Sequence, residues 1–242
     1  MKKGFIFTFE GGDFAGKGTL VQNLTEMLLS KGYPVSSLSY YEPGGTPYAD
    51  MIRSFLKKTF DTAFAQKSLL DLKQTIYDTD ISPVGQALGF FTAREHQFFT
   101  KIRQEYMSGK IILLDRSVDS TSVYQGHAQD KTLIPWIRQT NDFIISQAEV
   151  KIAKTFYLDI TLEERKKRIL QRGLVSTDRF EKKGDDFAQK IRTGYLTEAE
   201  YYATLDKSHP QYKRIEVVDA NGSREDITKN VFTQIESIMR EE

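Results

Sequence analysis

Apolar residues in this chain fall into short unbroken runs separated by stretches with helical spacing. Phe5–Phe9 is aromatic and β-branched, keeps its apolar character throughout and gives way to Gly11-Gly12, as a buried parallel strand does. Leu20, Leu24, Met27 and Leu28 then recur at helical intervals up to a Lys31-Gly32 stop. Val35–Tyr41 reads as a second strand, ended by Glu42-Pro43-Gly44-Gly45. Ile111–Leu114 is a third, finishing at Asp115-Arg116, and Thr155–Leu158 a fourth, finishing at Asp159. Thr161–Arg172 has the marks of a helix, with Thr161 as cap, Glu163 and Glu164 in the first turn and cations in the last. Ile215–Val218 closes the set of strands. Asp226–Met239 closes the set of helices, with Ile227, Val231, Ile235 and Ile238 as its apolar stripe.

Strands therefore alternate with helices along nearly the whole chain. The pattern predicts one α/β domain over residues 1–242, a three-layer arrangement of a five-stranded parallel sheet with helices on both faces. In such folds ligands sit at the carboxyl ends of the strands. Two segments break the pattern. Phe60–Pro83 has weak periodicity and is read as an insertion. Gly173–Asp186 is rich in charge and glycine with almost no apolar content, and is read as a mobile lid.

Composition narrows the partners. The chain has 242 residues, with 34 Lys+Arg against 33 Asp+Glu, so there is no whole-protein field for gripping nucleic acid. Cysteine is absent, which excludes disulfides, thiolate metal sites and a cysteine nucleophile. No run approaches the ~18 apolar residues of a membrane span. The chain is expected to be soluble and cytoplasmic, binding neither nucleic acid nor membrane. His96, His127 and His209 are too scattered to suggest a metal site.

The strongest chemical signal lies between the first strand and the first helix: Gly11-Gly12-Asp13-Phe14-Ala15-Gly16-Lys17-Gly18-Thr19. A triphosphate needs backbone N–H groups that can approach closely, so glycines fill the turn. The helix N-terminus adds partial positive charge, and Lys17 can reach the β- and γ-phosphates. The usual Ser or Thr after the lysine is Gly18 here, with Thr19 next. This Gly-Lys-Gly-Thr ending resembles adenylate kinase and its nucleoside monophosphate kinase relatives, and leaves open whether a hydroxyl ligates the metal directly.

Further signals follow in order. Glu42-Pro43-Gly44-Gly45-Thr46 comes after the second strand, Arg53 lies downstream, and Phe90 and Arg94 share a helix face. Asp115-Arg116 is followed by Ser120-Thr121, Tyr124 and Gln125. Tyr157-Leu158-Asp159 leads to Arg168, Arg172, Asp178-Arg179 and Glu181. From residue 4 to about 240, this ordered set resembles the thymidylate kinase family of the P-loop kinase group, in its bacterial branch. The chain departs from the family pattern at four places. Tyr41 stands where an arginine is common and Ser117 where an aromatic is usual. His96 sits one position before the expected histidine, with Gln97 in its place. Phe60–Pro83 is roughly twenty residues too long, and a connection of that size usually carries function or disorder.

The resemblance implies a role for each matched position. Phe90 would stack on a pyrimidine and Arg94 would bond the base edge; the plain alternative is a core phenylalanine and an exposed ion-pair partner. Arg53 and Arg116 would grip the acceptor phosphate, since planar guanidinium forks match phosphate oxygens. Asp13 would face the sugar 3′-hydroxyl. Thr121, Tyr124 and Gln125 would line the base and sugar pocket, with the tyrosine excluding a 2′-hydroxyl. Asp115, with Glu42 assisting on the substrate side, would orient Mg²⁺, and Thr19 would join it directly or through water. The catalytic cations would be Lys17, Arg116, Arg168, Arg172 and Arg179. Phe14 occupies a loop position that is arginine in the other branch, so the lid would supply the missing charge. The implied reaction moves the γ-phosphoryl of MgATP onto dTMP, giving dTDP and ADP, in a homodimer. A kinase for another nucleoside monophosphate or for a deoxynucleoside is the near alternative, and a non-catalytic nucleotide-binding regulator the remote one.

Overall fold

The computed structural model describes residues 3–36, 40–41, 44–46, 49–53, 81–172 and 184–241. Its strands are β1 (Phe5–Glu10), β2 (Tyr40–Tyr41), β3 (Ile111–Asp115), β4 (Ile152–Asp159) and β5 (Ile215–Asp219). All four pairings are parallel, in the order β2-β3-β1-β4-β5. The helices are α1 (Lys17–Ser30), α2 (Pro83–Gln97), α3 (Arg103–Met107), α4 (Val118–Thr121), α5 (Ile134–Gln147), α6 (Leu162–Arg172), α7 (Gly184–Thr204) and α8 (Arg224–Glu241). A π-helical turn at Phe98–Ile102 joins α2 to α3, and a second, Ser122–His127, continues α4.

β1 is buried at every position because it is the central strand. Its side chains alternate between two cores, as the two-residue strand period requires. Phe5, Phe7 and Phe9 face α1 and α8, against Leu20, Leu24, Leu28, Val231 and Ile235. Ile6 faces the other layer, with Phe98, Ile102, Ile112 and Leu114. The predicted three-layer α/β sheet is thus present. A third cluster, including Tyr124, Tyr157, Phe187 and Tyr195, packs α7 against the second π-helical turn at the strand ends.

Local signals fix three helix starts. Thr161 Oγ1 accepts from the Glu164 N–H at 3.2 Å, the predicted cap of α6. Ser82 Oγ accepts from the Gly85 N–H at 3.1 Å ahead of Pro83 in the first turn of α2. α8 begins two residues before its predicted start, because Ser223 Oγ caps the Asp226 N–H at 3.1 Å.

Two further boundaries differ from the sequence reading. Of the expected second strand Val35–Tyr41, Val35 makes only an isolated bridge to Ile111 and Tyr40–Tyr41 is strand, while residues 37–39 lie outside the described residues. The lid is shorter at its far end. Gly184, Asp185 and Asp186 open α7, where the acidic pair suits the positive helix terminus and Asp185 meets Arg165 at 3.4 Å and Lys166 at 2.8 Å. Residues 173–183, including Arg179, lie outside the described residues, as do Glu42 and residues 54–80, which hold nearly all of the expected insertion.

Candidate functional site

The register of the sheet brings Glu10, Asp115 and Asp159 to the same carboxyl edge: Phe9 pairs with Asp115 and Glu10 with Tyr157. The chain leaves this edge through the glycine loop. Gly11 has φ +149°, and a Cβ there would meet the Leu158 carbonyl oxygen at 3.0 Å. Gly16 takes φ +95° as the residue before α1, a conformation that glycine adopts without strain.

Lys17 opens α1 and is buried, its Nζ donating to the carbonyls of Gly11 at 3.1 Å and Gly12 at 3.0 Å. Burial, reinforced by the nearby Arg116 charge, lowers its pKa to about 8. A cation held on its own loop carbonyls is positioned to exchange them for phosphate oxygens.

Arg116 sits at φ +72°, a left-handed backbone that an L-residue adopts at a penalty of roughly 1 kcal/mol or more. The turn aims its guanidinium back at the loop. Nη2 meets Asp13 Oδ1 at 2.8 Å, Nη1 donates to the Gly11 carbonyl at 2.9 Å, and the group lies 5.1 Å from the centroid of the Tyr124 ring. Asp13 is thus brought to Arg116 and Tyr124 from more than a hundred residues away. Asp115 places Oδ2 3.7 Å from where a Cβ on Gly18 would lie. Thr19 instead lines a separate cleft between the loop and α8, with Asn23, Arg168, Arg224 and Thr228.

Arg94 is not the exposed ion-pair partner of the plain alternative: it is 2% exposed. Nη1 donates to Asn141 Oδ1 at 2.7 Å, and Nη2 to Thr121 Oγ1 at 2.9 Å and to the Ser117 carbonyl at 3.2 Å. Gln125 is also buried, bonding Gln86 Oε1 at 3.1 Å. Phe90 is half-buried one turn before Arg94, and Arg53 is half-buried at the end of the helical residues 49–53. Thr46, from the Gly-Gly-Thr segment, is tied to α2 through His96 Nδ1 at 3.2 Å. Both amide atoms of Gln97 and the hydroxyl of Ser117 are buried without a hydrogen-bond partner among the described residues. Both residues are departures from the family pattern.

Arg168 is engaged with backbone carbonyls. Its guanidinium braces the outside of the loop, bonding the carbonyls of Phe14 at 3.2 Å, Ala15 at 3.1 Å and Ala220 at 2.6 Å, and Glu164 Oε1 at 2.8 Å. Arg172 ends α6, with its side chain outside the described residues.

Sequence reasoning missed Arg192, Arg165, Tyr195 and Glu10. Arg192, on α7, forms a two-pronged pair with Asp159 at 2.7 Å on each prong. With Arg165 it lines a narrow cleft beside Gly12, Asp13 and Tyr124. Nothing in the spacing of α7 marks Arg192, because its partner lies 33 residues away. Glu10 is fully buried behind the loop, accepting from the Ser117 N–H, Ser120 Oγ and Tyr195 OH, each at 2.7 Å.

A parallel sheet of this order, a lysine-bearing glycine loop between β1 and α1, and an Asp-Arg pair closing β3 against that loop define a P-loop nucleotide kinase. Comparison with known proteins narrows the class. The family model described as thymidylate kinase matches residues 9–229. A thymidylate kinase of Chlorobium chlorochromatii (strain CaD3) is 33% identical over 245 residues, covering 97% of this chain and 96% of that protein. One of Thermoanaerobacter sp. (strain X514) is 36% identical over 196 residues, covering 80% and 83%. One of Shouchella clausii (strain KSM-K16) is 28% identical over 239 residues, covering 99% and 98%. The chain belongs to the thymidylate kinase family.

Proposed function

We propose that the protein transfers the γ-phosphoryl of MgATP to the 5′-phosphate of dTMP, giving dTDP and ADP, as a step in dTTP synthesis. The observation that carries this reading is the Arg116 guanidinium, held 2.8 Å from Asp13 and 2.9 Å from the Gly11 carbonyl. A fixed cation beside the donor loop suits an acceptor that is itself a phosphate. Such an acceptor is already anionic at neutral pH, so attack needs no general base. Catalysis is then alignment plus charge neutralisation.

Lys17 takes the donor phosphates, giving up its bonds to Gly11 and Gly12. Arg116 grips the acceptor phosphate, and Asp13 faces the sugar hydroxyl. Phe90, Arg94, Thr121, Tyr124 and Gln125 form the wall on which the pyrimidine and deoxyribose rest, and Arg53 and Glu42 also serve the acceptor. The cleft beside Thr19 and Arg224 takes the nucleoside end of ATP. Arg165 and Arg192 already line the cleft near Asp13, and the lid arginines Arg172 and Arg179 complete the charge around the moving group.

Among the described residues no three His, Cys, Asp or Glu side chains are grouped for a metal ion. Asp115 alone beside Gly18 fits a hard cation that arrives on the triphosphate and keeps most of its water. Asp115 would hold that Mg²⁺, whose chemistry is to neutralise phosphate charge. Two copies would associate through α2, the π-helical turn that follows it and α5, where Val84, Leu88, Phe99 and Phe143 are 41%, 51%, 57% and 63% exposed. The proposed site of action is the cytoplasm; among the described residues no helix is long and apolar enough to cross a membrane.

ADP release measured with dTMP, dUMP, dCMP, dGMP and thymidine tests the reading. Turnover on dTMP and none on thymidine is expected; turnover on thymidine alone would make the protein a nucleoside kinase. Arg116→Ala should raise the dTMP KM about 10–100-fold, the equivalent of one charge-assisted hydrogen bond, with the ATP KM little changed. The opposite ordering puts Arg116 on the donor side.

A further inference from the structure

Behind Arg116 lies a buried cluster that the proposed reaction does not use. Glu10 ends β1, immediately before the loop, and is fully buried. Its Oε1 accepts from the Ser117 N–H, the residue after the strained Arg116 turn, at 2.7 Å. Its Oε2 accepts from Ser120 Oγ on α4 and from Tyr195 OH on α7, both at 2.7 Å. Those two hydroxyl oxygens lie 3.1 Å from each other and each 3.5 Å from Arg116 Nη1. Tyr195 is held in place by stacking on Tyr157, ring centroids 4.7 Å apart.

A hydroxyl has one proton and two lone pairs, so the group that takes the proton decides where the lone pairs point. We propose that Glu10 is a positioning residue for the acceptor phosphate. By accepting both protons, it turns the lone pairs of Ser120 and Tyr195 toward the Arg116 guanidinium and holds that group on the phosphate site. The inference rests on the reading of Arg116 as the acceptor-phosphate grip.

The cluster also supplies a pH dependence. Burial first, and the Asp119 charge second, raise the Glu10 pKa to about 7, against the lowering effects of Arg116 and the two hydroxyl bonds. The other groups facing it are Lys17 at the start of α1 and Tyr124 from the π-helical turn. Asp119 is itself held by Arg214, at 2.6 and 2.8 Å. Once protonated, Glu10 must donate to one hydroxyl, and that hydroxyl then turns its own proton toward Arg116. Two donors face each other and the grip loosens. Acceptor affinity should therefore fall as the pH drops through about 7.

Glu10→Gln tests this, since its amide cannot titrate and must donate where Oε2 accepted. Wild-type kcat/KM for dTMP should show two acid-side ionisations, one near 7 from Glu10 and one at about 6 from the dTMP phosphate. The variant should keep only the second, with the dTMP KM raised roughly tenfold and kcat and the ATP KM within about twofold, because only the acceptor grip is disturbed. An unchanged pH profile in the variant, or equal rises in both KM values, overturns the proposal. Should Glu10→Gln fail to fold, Tyr195→Phe and Ser120→Ala each remove one of the two hydroxyls that face Arg116 while keeping the carboxylate. Each should raise the dTMP KM several-fold and keep the Glu10 ionisation, moved upward because a bond that lowers it is lost; an unchanged dTMP KM in both overturns it. A wild-type protein without dTMP turnover would sink the kinase reading itself, a different result from wild-type turnover with unaltered variants.

Discussion

Replacing Asn141 by alanine removes two bonds from the back of the candidate base pocket. Its Oδ1 accepts from Arg94 Nη1 at 2.7 Å, and its Nδ2 donates to the Val118 carbonyl at 3.0 Å. Asn141 and Arg94 are both buried, so the lost partner is a protein one. A hydrogen bond to a charged group contributes about 1.5–3 kcal/mol and a neutral one about 0.5–1.5 kcal/mol, so the combined loss is roughly 2–4 kcal/mol. Unfolding entropy of about 2.1 cal/mol/K per residue means that 1 kcal/mol moves Tm by about 2 °C in a chain of 242 residues. Asn141→Ala should therefore lower Tm by about 4–8 °C. The functional consequence is separable. Arg94 keeps its bonds to Thr121 and Ser117, so its guanidinium stays in the pocket but loses the contact that fixes its tilt. The dTMP KM should rise about tenfold, near 1.4 kcal/mol, while the ATP KM stays put. Thermal unfolding and steady-state kinetics on the same preparation check both halves. A loss of stability with an unchanged dTMP KM would show that Arg94 merely cross-braces α2, α5 and the β3 turn, and the base-reading role would fall.

Lys17→Met should lower kcat/KM by several powers of ten, because the lost charge matters most in the transition state. The same change should stabilise the nucleotide-free protein at pH 7. Burial lowers the folded pKa to about 8 from an ordinary 10.5, so the unfolded chain binds the proton more tightly. Wild-type stability then rises with pH between those values, and below 8 the buried charge is a full penalty. The Tm advantage of Lys17→Met should accordingly shrink from pH 7 to pH 10; a lower Tm at pH 7 would contradict this account. Arg172→Ala and Arg179→Ala should each depress kcat, by ~10² for the worse of the two since several cations share the load, with equilibrium dTMP binding nearly unchanged. Wild-type turnover in both would show that residues 173–183 do not supply the catalytic lid.

The residues that act within one short segment were readable in the chain order. The glycine loop, Lys17 and the cap at Thr161 depend on neighbours a few positions away, so spacing alone located them. The strands were readable for a related reason: a strand buried on both faces, such as Ile111–Leu114, has little choice but continuous apolar character. The ordered set of short motifs was enough to point to the thymidylate kinase family, which the whole-chain similarities bear out.

Which side chains meet across the strand ends was decided by the tertiary structure. Arg168 looked like a catalytic cation because it ends a basic helix run, yet the packing of α6 against the loop commits it to the carbonyls of Phe14, Ala15 and Ala220. Arg192 carries no signal in the chain order, and its partner Asp159 lies 33 residues away on β4. Glu10 read as the end of a strand; only the arrival of Ser120 and Tyr195, 110 and 185 residues further along, supplied donors that let a carboxylate stay buried there. Periodicity records which residues leave water, and it did so faithfully. It carries no record of the partner each buried charge will find, because that partner comes from another element whose position is set by the packing of the whole sheet.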